Sequence, residues 1–147
     1  MTQVVHVRKF PFVQFTSNCV YLGRDYLEFK DEGWGNPFHI GTDGNRKTVL
    51  SKYRAWIITQ PQLLARISEL KGKVLGCWCE PLSCHGHVLK ELADMRFTFD
   101  GGFKILLRWV DAEPRQWMIP GVVMVREMQN GQYQTVYQGE TNVHRPH

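Results

Sequence analysis

The chain has 147 residues, 18 Lys and Arg against 14 Asp and Glu, and a formal net charge of +4 with its six histidines neutral. Hydrophobic residues at 43% and charged residues at 22% are ordinary globular usage, which excludes wholesale disorder, a collagen-like repeat and a coiled-coil rod. The charge excess is spread with no basic block, so charge alone does not indicate nucleic acid, although it does not exclude it.

Val4 to Val7 and Cys19 to Leu22 are short apolar runs closed by basic or Gly residues, and both predict buried strands. Between Gly23 and Asn45 stand Gly33, Gly35, Pro37, Gly41 and Gly44, a density of backbone punctuation that neither a helix nor an inner strand accepts. A long shaped loop is expected there, packed through Tyr26, Phe29, Trp34 and Phe38. Val49, Leu50, Tyr53, Trp56 and Ile57 then fall on one helical stripe and predict a helix over 46–59. Pro61 suits a helix's first turn and opens a second helix carrying Leu63, Leu64 and Ile67 to about Leu70. Val74 to Cys79 is an apolar run of the kind buried on both faces of a parallel sheet. A third helix is expected from about Cys84 to Met95, with Val88, Leu89, Leu92 and Met95 on one face. Strand, helices, strand, helix is an α/β order, and the expected architecture is a small Rossmann-like parallel or mixed sheet with flanking helices.

Composition turns β-rich at Phe97, so 1–96 reads as the α/β domain and 97–147 as a C-terminal extension. Phe103 to Val110 predicts a strand, and Asn130-Gly131 between two β-rich runs predicts a hairpin over 122–138. A two-residue turn would set Met128 opposite Tyr133 and Val125 opposite Val136. The last ten residues have no pattern and are expected to fray. No apolar run approaches the ~20 residues that span a bilayer, and Met1-Thr2-Gln3 lacks the order of an export signal. A cytoplasmic protein without a membrane partner is expected.

Three of the four cysteines, Cys77, Cys79 and Cys84, crowd with His85 and His87 where a strand hands over to a helix. Ligands of open α/β sheets bind outside the carboxyl ends of strands, so chemistry belongs at this junction. If Cys77 and Cys79 are both in extended backbone they face the same side. Cys84 and His85 open the following helix, where free N–H groups and the dipole favour an anion or a thiolate. Three readings stay open. Cys77, Cys79, Cys84 and His85, or His87 in its place, form a zinc set of accepted chemistry but unusual spacing. Alternatively Cys84 and His85 act as a reactive pair, thiolate and acid or base, in a ligand pocket. In the third, the cysteines are buried packing and the histidine satisfies a carbonyl.

The second constellation is Arg24 with Trp34-Gly35-Asn36. Glycine lets backbone approach a phosphate or sugar, Arg24 offers a planar fork for an anion, Asn36 suits a base or ribose edge, and Trp34 can stack on a ring or plug the core. Arg46 and Lys47 open a helix, where positive charge opposes the dipole unless solvated or facing an anion.

The segments VVHVRK, VYLGR, WGNPF, KYRAWIITQPQLLARISELKGKVLGCWC and PLSCHGHVLKELA together resemble a family of domains of unknown function found in bacteriophage and bacterial genomes. The resemblance covers 2–95 and implies a phage-borne α/β domain with functional positions at Arg24, Trp34, Asn36, Cys77, Cys79, Cys84 and His85. Two departures stand out: Asp25 to Gly33 is inserted before WGNPF, and His87 stands where the family commonly has an aspartate.

The leading expectation is therefore a domain that binds a nucleotide-like or phosphorylated small ligand between the Arg24/Asn36 loop and the Cys84/His85 helix start, with turnover through Cys84 and His85 left open. The rival is a zinc-stapled, non-catalytic adaptor for protein or nucleic acid. A third reading makes the C-terminal hairpin a docking element for a host protein.

Overall fold

The computed structural model describes residues 2–9, 18–26, 29–99, 105–109, 114–128 and 130–139, with backbone alone at 9, 96–99, 105 and 109. The expected fraying of the C-terminus lies, for 140–147, outside the described residues.

Three short strands form a wholly parallel sheet in the order β1-β3-β2: β1 (Gln3–His6), β2 (Cys19–Tyr21) and, between them, β3 (Val74–Cys77). The apolar run of β3 is explained by its place, since both edges pair and Leu75 and Cys77 are buried. It stops two residues short of the expected Cys79. The reason is the neighbours: β1 ends at His6 opposite Cys77 and β2 at Tyr21 opposite Gly76, so Trp78 and Cys79 have no ladder to join. The chain turns instead, with the Leu82 N–H donating to Cys79 O at 2.8 Å.

Between β2 and β3 lie the long loop, α1 (Arg46–Ile57) and α2 (Pro61–Leu64). Asn45 caps α1, its Oδ1 accepting the Thr48 N–H at 2.9 Å, and Val49, Tyr53 and Ile57 turn into the core at successive i, i+4 positions. Proline opens α2 as expected, but the α-helix does not continue to Leu70: Arg66 N–H bonds Leu63 O at 2.9 Å, and Ile67–Leu70 is a 3₁₀ turn. Helix α3 (His85–Asp94), capped by Cys84, buries Val88, Leu89, Leu92 and Ala93 against the sheet and α1. Each fully buried leucine there contributes about 2 kcal/mol of apolar burial.

A second, four-stranded sheet follows in the order β4-β5-β6-β7: β4 (Arg96–Phe99), β5 (Ile105–Trp109), β6 (Val122–Glu127) and β7 (Tyr133–Gln138). Leu107, Trp117, Val122 and Met124 enter the same core cluster as Leu89 and Leu92, and Trp117 Nε1 donates to Glu91 Oε2 of α3 at 3.0 Å. The hairpin forms over 122–138, but one residue out of the expected register. Met128 N–H bonds Gln132 O at 2.8 Å, so three residues lie inside the closing pair where two were expected, Gly131 takes a φ of 81°, and Val125 pairs Thr135 rather than Val136. An irregularity between Met124 and Val125 then sets Met124 opposite Tyr137. No described helix is long and apolar enough to cross a membrane.

Candidate functional site

All three strands of the parallel sheet run the same way, so the segments after His6, Tyr21 and Cys77 gather at one end. There they enclose a cavity of about 690 Å³. Arg8 comes from beyond β1; Gly23, Arg24 and Tyr26 from beyond β2; Asn36, Phe38 and His39 from the long loop. Helix α1 adds Arg46 and Val49, the turn after β3 adds Trp78 and Cys79, and the start of α3 adds Cys84 and His85. The two constellations singled out in the sequence, 34–36 and 77–87, thus meet at one cavity through Asn36, Cys79, Cys84 and His85.

The cavity is cationic on one account and aromatic on another. Among the described residues, Arg8, Arg24 and Arg46 line it against the one carboxylate of Asp25. Arg46 spends Nη1 on Ser83 O at 2.8 Å, which ties α1 to the turn before α3. Opposite them the Trp78 ring meets Tyr26 edge-on at 5.2 Å between centroids, and Tyr26 remains 56% exposed. Trp78 is itself held by its Nε1–H, which donates to Tyr21 Oη at 2.8 Å, while the Tyr21 hydroxyl donates to Arg24 O at 2.6 Å.

Arg24 lines the cavity but works first as a brace. Its Nε and Nη2 donate to Asn36 O at 2.9 and 2.6 Å, and Nη2 also reaches Phe38 O at 3.0 Å. Asn36 Oδ1 accepts the Phe38 N–H at 2.9 Å, closing an Asx turn and leaving the Nδ2 donors of this buried side chain for other partners. Trp34 and Gly35 do not line the cavity. Trp34 is fully buried, its carbonyl accepts the Tyr53 hydroxyl at 2.7 Å, and Arg66 covers its ring at 5.1 Å, so the expected stacking surface is a core plug. Gly35 packs its Cα on the Asp31 carboxylate and donates its N–H there at 3.2 Å.

His85 is buried, and its Nε2 lies 2.7 Å from Leu22 O. A carbonyl only accepts, so Nε2 carries the proton and Nδ1 is bare. Burial holds the ring's pKa below the ordinary value, outweighing the help of the Leu22 carbonyl, so the neutral ring offers the cavity an acceptor and no free proton. Cys84 Sγ lies 3.0 Å from Cys77 Sγ, with both residues buried. The hydrogen bond from the Cys84 thiol, together with the Glu80 and Cys79 backbone, outweighs burial and lowers Cys77 to about 6. Cys84 is pushed far up by holding that shared proton, by burial and by the neighbouring thiolate, against the pull of the Gly86 and His87 backbone.

The expected zinc set does not assemble. Among the described residues no three His, Cys, Asp or Glu side chains gather as a metal-holding group. The cause is local: β3 ends before Cys79, Cys77 and Cys84 bond each other, and the protonated nitrogen of His85 is committed to Leu22.

His87, which departs from the family's common aspartate, sits against the Cys84 backbone. Its Nδ1 accepts the Cys84 N–H at 3.2 Å and lies 3.6 Å from Cys84 Sγ, while Nε2 stands 3.1 Å from Glu80 Oε2. That approach is close enough for an ion pair but out of line for a hydrogen bond, since the buried Oε2 makes none. The signal was present as capping-box spacing, Cys84-x-x-His87 in place of Ser-x-x-Glu. Arg8 and Tyr21 lie within the resembling segments VVHVRK and VYLGR but were not singled out as site residues.

The model of the family described as Domain of unknown function (DUF4326) matches residues 5–95. The chain is 37% identical over 98 residues to uncharacterized protein R718 of Acanthamoeba polyphaga mimivirus, a match covering 56% of this chain and 75% of that protein. It is 29% identical over 72 residues to an uncharacterized 12.4 kDa protein in the nrdA-td intergenic region of Enterobacteria phage T4, covering 46% of this chain and 65% of the relative. No solved structure matches.

Proposed function

The chain belongs to the family described as Domain of unknown function (DUF4326), and we propose that it binds a nucleotide-like or otherwise phosphorylated small molecule in the cavity at the carboxyl end of its parallel sheet. The observation that carries this reading is the lining: among the described residues, three arginines against one carboxylate, beside the first turn of α3 and an exposed aromatic edge at Tyr26. Arginine forks and a helix N-terminus suit a phosphate or carboxylate, and the Tyr26–Trp78 side suits a ring. The position fits the general siting of ligands in open α/β sheets, which supports treating the N-terminal part as a small Rossmann-like unit. Cys84 takes the reactive role in this reading, as a cavity-lining cysteine beside His85 at the start of α3.

A thermal-shift panel of nucleosides, nucleoside 5′-phosphates and inorganic phosphate tests it. At a hundredfold excess over Kd, a true ligand stabilises by about 2.7 kcal/mol. For a chain of this size that raises Tm by roughly 5–10 °C. The phosphorylated members should stabilise the chain and Arg46→Ala should abolish the shift. Silence across the panel at millimolar concentration overturns the reading.

A further inference from the structure

The ligand reading makes no use of Cys77. It is the last residue of β3, paired with His6 of β1, and its sulfur lies 3.0 Å from that of Cys84, the residue that caps α3. Both thiols are free and both residues are buried, at 1% and 2% exposure. Each sulfur is carried by a packed element, so closing the gap to an S–S bond of about 2.05 Å asks for a small side-chain adjustment rather than a rearrangement of backbone. Access is one-sided: Cys84 lines the cavity and Cys77 does not.

We propose that Cys77 and Cys84 are a two-electron redox couple, in which a hydroperoxide entering the cavity oxidises Cys84 and Cys77 resolves the product to an intramolecular disulfide. As Cys84 attacks, the proton it shares passes to Cys77 along the 3.0 Å contact, and the Gly86 and His87 N–H groups support the attacking sulfur. That sulfur attacks one peroxide oxygen; the S–O bond forms as the O–O bond breaks, and hydroxide leaves to be protonated to water. Cys77 then attacks the sulfenic sulfur, the S–S bond forms as the S–O bond breaks, and the departing hydroxide takes the Cys77 proton. Two thiols and one hydrogen peroxide give one disulfide and two waters.

The test treats the reduced full chain with one equivalent of hydrogen peroxide, alkylates the remaining thiols with N-ethylmaleimide, and maps the peptides by mass. The expected product keeps two of its four cysteines alkylatable, is about two mass units lighter before labelling, contains a Cys77–Cys84 crosslinked peptide, and returns to four thiols with dithiothreitol. Cys19→Ser should close as the wild type does, whereas Cys77→Ser should stop at a sulfenic acid on Cys84 that dimedone traps. Four alkylated cysteines, a crosslink through Cys19 or Cys79, or a sulfinic Cys84 beside an alkylated Cys77 in the wild-type chain overturns the proposal. The wild-type map decides even if Cys77→Ser does not fold. It is also independent of whether any nucleotide binds.

Discussion

Arg24→Lys separates the two jobs an arginine at this position can do. The guanidinium makes three hydrogen bonds, two to Asn36 O and one to Phe38 O, and so pins 36–38 of the long loop to the end of β2. A lysine ammonium keeps the charge but lacks the planar fork, and it reaches one of these carbonyls at a time. Charge-assisted bonds contribute about 1.5–3 kcal/mol each when buried. Arg24 is exposed, so the loss of two bonds is set at about 2 kcal/mol after screening. The backbone of Arg24 is held separately by the Tyr21 hydroxyl at 2.6 Å, which confines the damage to the loop. Urea unfolding read by tryptophan fluorescence measures the change, and Tm should fall by roughly 4–8 °C. Limited proteolysis should cut the variant first near 36–40. An Arg24→Lys chain within about 0.5 kcal/mol of wild type would refute the bracing role and free Arg24 to meet a ligand.

Tyr53→Phe removes the buried hydroxyl that donates to Trp34 O at 2.7 Å and should cost about 2 kcal/mol by thermal unfolding, because the carbonyl is left without a partner. Glu91→Ala orphans both Trp117 Nε1 and the Arg54 guanidinium, 3.0 and 3.3 Å away, and should lower stability by about 2 kcal/mol while broadening the Trp117 indole resonance. His85 gives a pH dependence of defined sign. Burial keeps the folded ring neutral, whereas the unfolded ring takes up a proton near its ordinary 6.5, so below that pH the unfolded state binds more protons and stability falls as pH falls. The slope reaches at most about 1.4 kcal/mol per pH unit, and urea unfolding between pH 5 and 7 should show it flattened in His85→Gln.

What could be read from the sequence was what repeats or clusters. Val49, Tyr53 and Ile57, and Val88, Leu89 and Leu92, recur at helical spacing, and they place α1 and α3 correctly within two residues. The apolar run at Val74 identifies the central strand, but its end is set by where β1 and β2 stop, which no local pattern encodes. That early stop also undoes the alternation argument for Cys77 and Cys79. Four-residue β4 has too few positions for periodicity, and the hairpin register depends on the closing Met128–Gln132 pair rather than on Asn130-Gly131 alone. Residue types also hide their use. Arg24 and Asn36 reach the cavity yet satisfy backbone groups, Trp34 turns inward beneath Arg66, and the Cys77–Cys84 contact joins a strand end to a helix cap seven residues on.

The central claim is that the cavity at the strand ends takes a phosphorylated ligand. Amide chemical shifts of the ¹⁵N-labelled full chain, titrated with adenosine monophosphate and in parallel with inorganic pyrophosphate, test it residue by residue. The account predicts saturable shifts at Arg24, Tyr26, Asn36, Phe38, Arg46, Cys84 and His85, with the amides of 122–138 unmoved. Shifts confined to the hairpin, or a spectrum unchanged by either compound at millimolar concentration, would contradict it.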